Sequence, residues 1–433
     1  MRLRIIFCIA CCNWVVFSIM ESQDKISESY KTREKSELLK SELISLTSDL
    51  IRFRSDANHP SERVAILKYV KNFLSSNSTN ESFDQKYYCS ISPNSGQNIE
   101  SYHFFNPDPK IARMPSLLLL LHADVVPGSS SQFEPYVKNN FLHGRGAGDM
   151  KAGLAIALKL FLKYHETTNI QILVTTDEEI GGFGGAGYVA PHINPDFVIA
   201  IEPSNLKIIN GEKGAMWVVI DAEGPGGHAA RPWKAKSAVD LLFAVYSKLR
   251  EKFPAPATES WIESVNLGGI YGGDVKVSED KIVLNSANSI PKYATAKLDL
   301  RLSSDWSHNA VFEIILSCAA EVQEGVRNCF DGCKDYKITV HKPNPLVSIL
   351  HTPKDNIHVA NFANHISKVL GCPPIFKKGH GASDARFFSE RKIPSIIFGG
   401  LSIGHHGDQE RVCIDSLLSV YESLDLFLAN WVL

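Results

Sequence analysis

The chain has 433 residues, of which 44% are hydrophobic and 21% charged, a composition typical of globular enzymes that excludes a disordered or fibrous protein. Lys plus Arg number 45 and Asp plus Glu 47, so the net charge of -2 leaves no positive excess for binding nucleic acid. A chain of this length is expected to form two or three domains.

The N-terminus combines a basic start, MRLR, with an apolar stretch over residues 5–20. This stretch is short for a membrane-spanning helix and is typical of the apolar core of a signal peptide. We therefore predict that residues 1–21 serve as a signal peptide or a membrane anchor. If Met20 is the true start of the protein, a cytoplasmic location follows instead.

Helical patterns open the globular part, followed by apolar runs typical of buried strands. The first helix begins near residue 36 and the second follows Pro60, with apolar faces formed by Leu39, Leu43, Leu46, Leu50 and by Val64, Leu67, Val70, Leu74. The apolar runs are residues 117–121, 170–176, 197–201 and 393–398. Runs that are apolar on both faces and separated by helices indicate a buried parallel sheet.

Residues 214–342 show a different order of elements. Strands over 215–222, 263–270, 293–302 and 336–341 and helices over 237–253 and 310–322 give the order β-α-β-β-α-β. The fold class is therefore α/β: a domain with a mostly parallel central sheet, formed by residues 36–213 and 343–433, is interrupted by an inserted ferredoxin-like α+β domain, residues 214–342.

Polar clusters follow the predicted core strands directly. The first strand ends at His122 and Asp124, the second is followed by the acidic run 177–179, and the third by Glu202, while Asp149 follows a glycine-flanked segment. The carboxyl ends of parallel strands are where open α/β sheets bind ligands. The cluster combines one imidazole with several carboxylates that lack matching basic partners, and these carboxylates repel one another unless a cation binds. Such donors suit Zn²⁺, or Mn²⁺ or Co²⁺.

Two spacings suggest roles within this cluster. Asp124 lies two residues after His122, so it shares a strand face with that imidazole and would orient a metal-bound ring, although it would also suit a turn or helix cap. Glu178 and Glu179 are adjacent, so one would bind metal while the other faces the substrate water. The glycines of residues 182–187 match a dinucleotide-binding pattern, but the acidic residues before them would repel a pyrophosphate, and we reject that function.

Six motifs together resemble the co-catalytic zinc metallohydrolases, the family of aminoacylase, acetylornithine deacetylase, succinyl-diaminopimelate desuccinylase and related carboxypeptidases and dipeptidases. The resemblance covers residue 36 to the C-terminus. The motifs, in chain order, are HADVVPG (122–128), GRGAGDMK (144–151), DEE (177–179), IEPS (201–204), GGHAARPW (226–233) and GASDARFF (381–388).

The resemblance implies a role for each matching residue. Asp149 would bridge two zinc ions, with Co²⁺ or Mn²⁺ as alternatives. One ion would be completed by His122 and Glu202, the other by Glu179 and a C-terminal His. GHHGDQE offers His405 and His406, and the family pattern of His followed four residues later by Glu selects His406 with Glu410. A cis peptide at Asp149–Met150 is also implied.

The resemblance also implies catalytic and substrate-binding residues. Glu178 would be the general base and His228 would polarise the scissile carbonyl, and Asp124, which would orient His122, counts as a further catalytic residue. Asn288, Arg301, Ser383 and Arg386 match positions near the substrate carboxylate. A guanidinium suits a carboxylate, but each of these residues would equally serve in a structural ion pair.

The sequence thus predicts a metal-dependent amidohydrolase acting on a small substrate with a free carboxylate. The first choice is an N-acyl amino acid of the acetylornithine or succinyl-diaminopimelate kind, and the alternative is a short peptide cleaved by a carboxypeptidase or dipeptidase. A non-catalytic binding protein on the same fold is a third possibility. We further expect a homodimer formed through the inserted lid or dimerisation domain, with His228 acting in the partner's site.

Overall fold

The computed structural model describes residues 34–78, 82–273, 275–278, 281–284, 287–303, 306–327, 335–343 and 346–431. The predicted signal peptide or anchor, residues 1–21, lies outside these residues. None of the helices within the described ranges combines the length and the apolar character needed to cross a membrane.

Ten α-helices occur in the described residues, and the first two match their predicted apolar faces. They are α1 (34–51), α2 (Pro60–Asn77), α3 (Pro109–Ala112), α4 (Ala152–Tyr164), α5 (Ala186–Val189), α6 (Ala238–Lys252), α7 (His308–Arg327), α8 (Ile357–Leu370), α9 (Arg386–Glu390) and α10 (Ile414–Leu428). Leu43 and Leu50 of α1 and Leu67 and Leu74 of α2 are buried. Helix α2 begins at Pro60, a residue favoured in the first helical turn.

The strands of the described residues form several sheets. They are β1 (Asp84–Ile91), β2 (Asn98–Phe105), β3 (Leu117–His122), β4 (Tyr136–Lys138), β5 (Phe141–His143), β6 (Ile170–Thr175), β7 (Phe197–Ala200), β8 (Ile208–Glu212), β9 (Gly214–Glu223), β10 (Gly227–His228), β11 (Ser264–Gly272), β12 (Val275–Ser278), β13 (Lys281–Leu284), β14 (Ser289–Ile290), β15 (Tyr293–Leu302), β16 (Lys337–Val340), β17 (Leu350–His351), β18 (Phe376–Gly379), β19 (Ser395–Ile397), β20 (Ser402–Ile403) and β21 (Arg411–Cys413).

The largest sheet has nine strands in the described part of the chain, in the order β1-β2-β6-β3-β7-β19-β8-β17, with β18 beside β8. Its centre is parallel, because β3 pairs in parallel with β6 and β7, and β19 does so with β7. The outer strands β1, β2 and β17 are antiparallel to their neighbours. The α/β class is confirmed, and the sheet is mixed outside its parallel centre.

The central strand β3 explains why the core sequences are apolar throughout. Leu117, Leu119 and Leu121 face the large cluster that α1, α2, α4, α8 and α10 cover. Leu118 and Leu120 face a second cluster on the opposite side of the sheet. Alternate residues of a strand point to opposite faces, so a sheet covered on both sides requires an uninterrupted apolar run.

A second sheet, of four strands, has the order β11-β15-β9-β16, and all its pairings are antiparallel. Helices α6 and α7 contribute to its core with Leu241, Leu249, Val311 and Ile315. The predicted β-α-β-β-α-β order is therefore confirmed, and the strand order is that of a ferredoxin-like sheet. The hairpin β12–β13 and the short antiparallel pair β10–β14 are additions that the prediction did not contain.

The segment that enters the inserted sheet and the segment that leaves it lie side by side. Ala215 and Val347 pair in an antiparallel bridge whose two N–H···O distances are both 3.0 Å. The His308 Nε2 atom lies 2.8 Å from the Val347 carbonyl oxygen. The boundaries of the two domains, 36–213 with 343–433 and 214–342, stay a prediction.

Candidate metal centre

Parallel pairing brings the polar clusters of the sequence to one edge of the sheet. In the register of β3 and β6, His122 pairs with Thr175, so the acidic run at 177–179 begins just beyond it. Leu120 pairs with Ala200 of β7, two residues before Glu202. The carboxyl ends of three neighbouring strands therefore supply His122, Glu179 and Glu202 to the same region.

Asp149 enters this region from the segment between β5 and α4. The Asp149–Met150 peptide is cis, as the resemblance implies. The Asp149 Oδ1 atom lies 3.2 Å from His122 Nε2, and Oδ2 lies 3.1 Å from His406 Nε2. Each carboxylate oxygen therefore faces a different imidazole, which is the arrangement that a carboxylate bridging two metal ions requires.

His406 completes a compact group of ligand atoms. Its Nε2 atom lies 3.1 Å from Glu179 Oε2 as well as close to Asp149. In the part of the chain that the structure describes, Asp149, Glu179 and His406 form the group whose ligand atoms all lie within 4.8 Å of one another. Of the two neighbouring histidines, His406 rather than His405 makes these contacts.

Glu202 follows β7 and is half-buried. Burial raises the pKa of Glu202 well above its usual range, and repulsion from the Asp149 carboxylate adds to this effect while His122 opposes it. Glu202 is thus electrostatically coupled to both His122 and Asp149. Its carboxylate does not belong to the compact group of three.

Asp124 contacts the strand ends on both sides. Its Oδ2 atom accepts a hydrogen bond from the Glu179 N–H at 3.1 Å, and its Oδ1 atom accepts a longer one from Glu178 N–H at 3.3 Å. His122 Nδ1 lies 3.1 Å from the Asp124 carbonyl oxygen and 3.6 Å from its Oδ1. Asp124 therefore borders the ring nitrogen of His122 that faces away from Asp149.

The charges of the site favour a bound cation. Burial raises the pKa of Glu178 well above its usual range, and repulsion from Glu202 raises it further. Hydrogen bonds to Asp149 and Glu179 raise the pKa of His406 to about 10. The site thus concentrates negative charge that attracts a positive one, and imidazole with carboxylate donors fits zinc and related divalent ions.

Two buried carboxyl groups near the site had no role assigned from the sequence: Asp177, which lies in the predicted acidic run, and Asp384. Asp177 Oδ2 accepts a hydrogen bond from Gly184 N–H at 2.8 Å, and burial with repulsion from Asp384 raises the pKa of Asp177 to about 8. Asp384 accepts from Thr175 Oγ1 at 3.1 Å, and burial raises its pKa to about 6. Both lie in motifs of the family pattern, and that location was the available signal.

The glycine-rich segment 181–187 packs closely against these two carboxyl groups. A Cβ atom on Gly182, whose φ is +68°, would lie 1.9 Å from Asp384 Oδ1. A Cβ on Gly185 would lie 2.2 Å from Asp177 Oδ1. The glycines therefore allow the backbone to approach a carboxyl cluster, which agrees with the rejection of a dinucleotide site.

His228 and Asn288 lie together, on the neighbouring short strands β10 and β14 and the residue before β14. His228 is exposed, its Nδ1 accepts a hydrogen bond from Ala230 N–H at 3.1 Å, and Ala229 N–H donates to the Asn288 carbonyl oxygen at 2.8 Å. Within the described residues, these hydrogen bonds of His228 are local. The structure therefore brings these two predicted residues together.

The other predicted substrate-binding residues have internal partners. Arg301 binds Asp299 through Nε and Nη2 at 2.8 and 3.0 Å. Ser383 donates from its N–H and Oγ to Glu212 Oε2, at 2.8 and 2.6 Å. The buried Arg386 donates to the Ser383 and Gly181 carbonyl oxygens. This geometry favours the structural alternative for Arg386.

Comparisons with known proteins agree with this fold and this site. The sequence pattern of peptidase family M20/M25/M40 matches residues 118–430. A succinyl-diaminopimelate desuccinylase of Rickettsia bellii is 27% identical over 332 residues, which cover 71% of this chain and 79% of that protein.

Solved structures resemble the fold over almost its whole length. Aminopeptidase PepT of Bacillus cereus superposes with a TM-score of 0.69 at 16% identity, covering 90% of this chain and 98% of that one. The YXEP protein of Bacillus subtilis, described as a dinuclear metal binding peptidase of the M20 family, superposes with a TM-score of 0.60 at 13% identity, covering 91% and 98%.

Proposed function

Because the chain belongs to peptidase family M20/M25/M40, whose members hydrolyse C–N amide bonds with the help of metal ions, we propose that it cleaves the amide bond of an N-acyl amino acid. The observation that carries this proposal is the position of Asp149, whose two oxygens lie 3.2 and 3.1 Å from the imidazoles of His122 and His406. That arrangement suits a pair of cations bound side by side.

Two zinc ions are the proposed cofactors, with Co²⁺ or Mn²⁺ as alternatives. His122, Asp149 and Glu202 would hold one ion, and Asp149, Glu179 and His406 the other. Bound ions of this kind acidify water and polarise a carbonyl group. Asp124 would orient His122 through the ring nitrogen that faces away from the metal.

Glu178 is the proposed general base. It adjoins the ligand Glu179, and its backbone N–H is held by Asp124 at 3.3 Å, so the backbone of both residues is fixed by one carboxylate. Its own carboxyl group does not belong to the compact ligand group. In the proposed mechanism Glu178 takes a proton from the attacking water and then delivers it to the leaving nitrogen.

We propose a homodimer because the hydrogen bonds of His228 in the described residues are with its own neighbours in the inserted domain. Strand β9 runs from Gly214, beside the junction of the sheets, to Glu223, a span of about 30 Å at the usual rise per residue. His228 follows the distal end of that strand. In a dimer, His228 and Asn288 would complete the partner's site, where His228 would polarise the substrate carbonyl.

The surface proposed for this dimer belongs to the inserted sheet. Strand β11 is an end strand of that sheet, and Tyr271 on it is 61% exposed. Phe243 of the neighbouring helix α6 is 47% exposed. Exposed aromatic side chains next to an end strand are typical of protein interfaces.

The proposed substrates carry a free carboxylate. An N-acyl amino acid of the succinyl-diaminopimelate or acetylornithine kind is supported by the desuccinylase that aligns over 71% of this chain. A carboxypeptidase or dipeptidase activity is the second candidate, which the fold shared with aminopeptidase PepT favours. Arg301, Asn288 and Ser383 are proposed to surround the carboxylate end, and Arg386 to hold the backbone of the segment that carries Ser383.

A substrate panel distinguishes these activities. We would assay acetylornithine, succinyl-diaminopimelate, acetylmethionine and several dipeptides, each with added Zn²⁺, Co²⁺ or Mn²⁺. We expect an acylated amino acid to give the highest kcat/KM. Faster cleavage of dipeptides would establish the peptidase alternative, and a protein with no turnover and almost no bound metal would be a binding protein.

Metal analysis of ligand variants tests the proposed centre. Asp149→Ala should lose both ions and all activity, because its carboxylate is the proposed bridge. His406→Ala should mainly weaken one ion, whereas His405→Ala is the matched control and should retain both. Two ions per chain in Asp149→Ala would show that the ligand assignment is wrong.

Export or membrane anchoring through residues 1–21 is part of the proposal. Expression of the full chain in a secretory host, followed by N-terminal sequencing of the product, tests it. A secreted product that begins near residue 22 supports a signal peptide. A product that keeps Met1 and stays in the cytosolic fraction contradicts export.

A further inference from the structure

Glu410 is a buried carboxylate that the mechanism above does not use. It is 3% exposed and lies four residues after His406, just before β21. Its Oε1 atom accepts hydrogen bonds from the N–H groups of Gly148 and Asp149 at 3.1 and 3.2 Å. Its Oε2 atom accepts from Gly146 N–H at 2.9 Å and from Arg145 Nη1 at 2.6 Å.

The partner Arg145 joins this arrangement to the segment that carries His406. Arg145 is 2% exposed, and its Nη2 atom lies 3.5 Å from the His406 carbonyl oxygen and 3.4 Å from the Pro127 carbonyl oxygen. The backbone adds a further bond, from Gly144 N–H to the Glu410 carbonyl oxygen at 3.2 Å. The pair Glu410–Arg145 therefore connects the Asp149 segment with the His406 segment.

The backbone next to Asp149 is packed closely against β20. A Cβ atom on Gly148 would lie 1.9 Å from Ser402 Oγ, so this residue is packed against β20 without a side chain. The N–H groups of Gly146, Gly148 and Asp149 converge on the Glu410 carboxylate. An amide in place of that carboxylate would offer one acceptor oxygen instead of two and would leave buried N–H groups unpaired.

A buried ion pair is weak as a source of stability, because desolvation of the two charges offsets most of their attraction. Its hydrogen bonds, in contrast, restrict geometry strongly. Here all four bonds end on groups within the segment 145–149, and one of them ends on the N–H of Asp149 itself. The effect of Glu410 is therefore concentrated on the backbone that carries Asp149.

We propose that Glu410, paired with Arg145, is a positioning residue that fixes Asp149 relative to His406 and thereby sets the spacing of the metal centre before metal binds. The inference rests on the proposed ligand roles of Asp149 and His406. Partners that orient metal ligands typically change metal affinity by about 10- to 100-fold when they are replaced.

The direct test is the affinity of the metal-free protein for Co²⁺, measured by titration and followed by the visible absorption of the bound ion. For Glu410→Gln we expect the dissociation constant to rise by roughly 10- to 100-fold and the absorption spectrum to change. At saturating metal, kcat should fall while KM changes little, because no proposed substrate contact is removed. Glu410→Asp, which keeps the charge, should restore part of the affinity.

A control away from the metal centre shows whether loss of any carboxylate bound to a backbone N–H weakens metal binding. Asp196 accepts hydrogen bonds from the N–H and Oγ of Ser116 at the opposite ends of the core strands, so Asp196→Asn also removes a carboxylate bound to a backbone N–H. This variant should bind Co²⁺ as the parent protein does. If it weakens Co²⁺ binding as much as Glu410→Gln does, the effect is general and the inference is overturned.

Arg145→Lys provides a second route if Glu410→Gln does not fold. It keeps the positive charge but loses the forked contact that reaches both Glu410 and the His406 carbonyl, so Co²⁺ affinity should again fall. Unchanged Co²⁺ affinity in whichever variant folds would overturn the positioning role. Failure of the proposed function is distinguishable, because Asp149→Ala would then keep its metal whatever happens at Glu410.

Discussion

Substitution of Gly153 by alanine tests the contact between helix α4 and the end of strand β7. Gly153 is the second residue of α4, four residues after Asp149. A Cβ atom added to it would lie 2.2 Å from the Ile201 carbonyl oxygen and 3.1 Å from the Ile201 Cβ. Ile201 is followed by Glu202, so this contact joins the segments that carry two proposed metal ligands.

The size of the effect follows from this distance. An ordinary contact of a methyl group requires about 3.5 Å, so α4 and the β7 end must separate by roughly 1 Å. Overpacking of this kind costs about 1–3 kcal/mol, which the better helix propensity of alanine offsets by up to about 1 kcal/mol. A displacement of that size near the reacting groups lowers turnover by on the order of 10²-fold.

The assay combines urea unfolding, metal analysis and kcat for Gly153→Ala. Gly325→Ala in helix α7 is the matched control, because nothing lies within 4 Å of a Cβ atom at that position. The control should gain roughly 0.5–1 kcal/mol of stability with unchanged activity. A Gly153→Ala protein with the stability, metal content and turnover of the parent chain would refute the reasoning.

Three further results are expected. Glu178→Gln should keep its metal and lose about 10²- to 10⁴-fold in turnover, and near-normal turnover would move the general base elsewhere. Mixing inactive His228→Ala and Glu178→Gln subunits should restore activity in verified heterodimers, and no restored activity would exclude catalysis across the interface. Burial lowers the pKa of His103 to about 4 in the folded protein. As the pH falls, the unfolded chain therefore takes up a proton at His103 before the folded chain does, and the stability should decrease between pH 6.5 and pH 4. In His103→Gln, the urea concentration at the midpoint of unfolding should change less over that pH range than in the parent protein. If the midpoint changes with pH as it does in the parent protein, His103 is not the cause.

The sequence was sufficient for the elements whose pattern is local. Strand β3 was readable because five consecutive leucines fill both faces of a covered sheet. The inserted sheet was readable from its order of strands and helices, and β15 has the predicted bounds. Short pieces of structure, such as β4 and β20, carry no comparable period and were not predicted.

The parts of the site that depend on distant contacts were harder to predict. The bond from Gly148 N–H to Glu410 joins residues 262 positions apart, and the bond from Thr175 to Asp384 joins residues 209 apart. The spacing of residues along the sequence does not predict contacts between segments so far apart. Arg386 illustrates the same difficulty, because its motif does not reveal that its guanidinium donates to the carbonyl oxygens of Ser383 and Gly181.

The position of β19 in the large sheet determines when the sheet can be completed during synthesis. Strand β19 lies between β7 and β8, although it emerges from the ribosome almost two hundred residues after β7. At usual translation rates β7 and β8 would wait about 10–40 s for this neighbour. During that interval both strands present an unpaired edge, the kind of surface that promotes aggregation. A nascent chain of this protein therefore has a period in which binding by a chaperone would matter most.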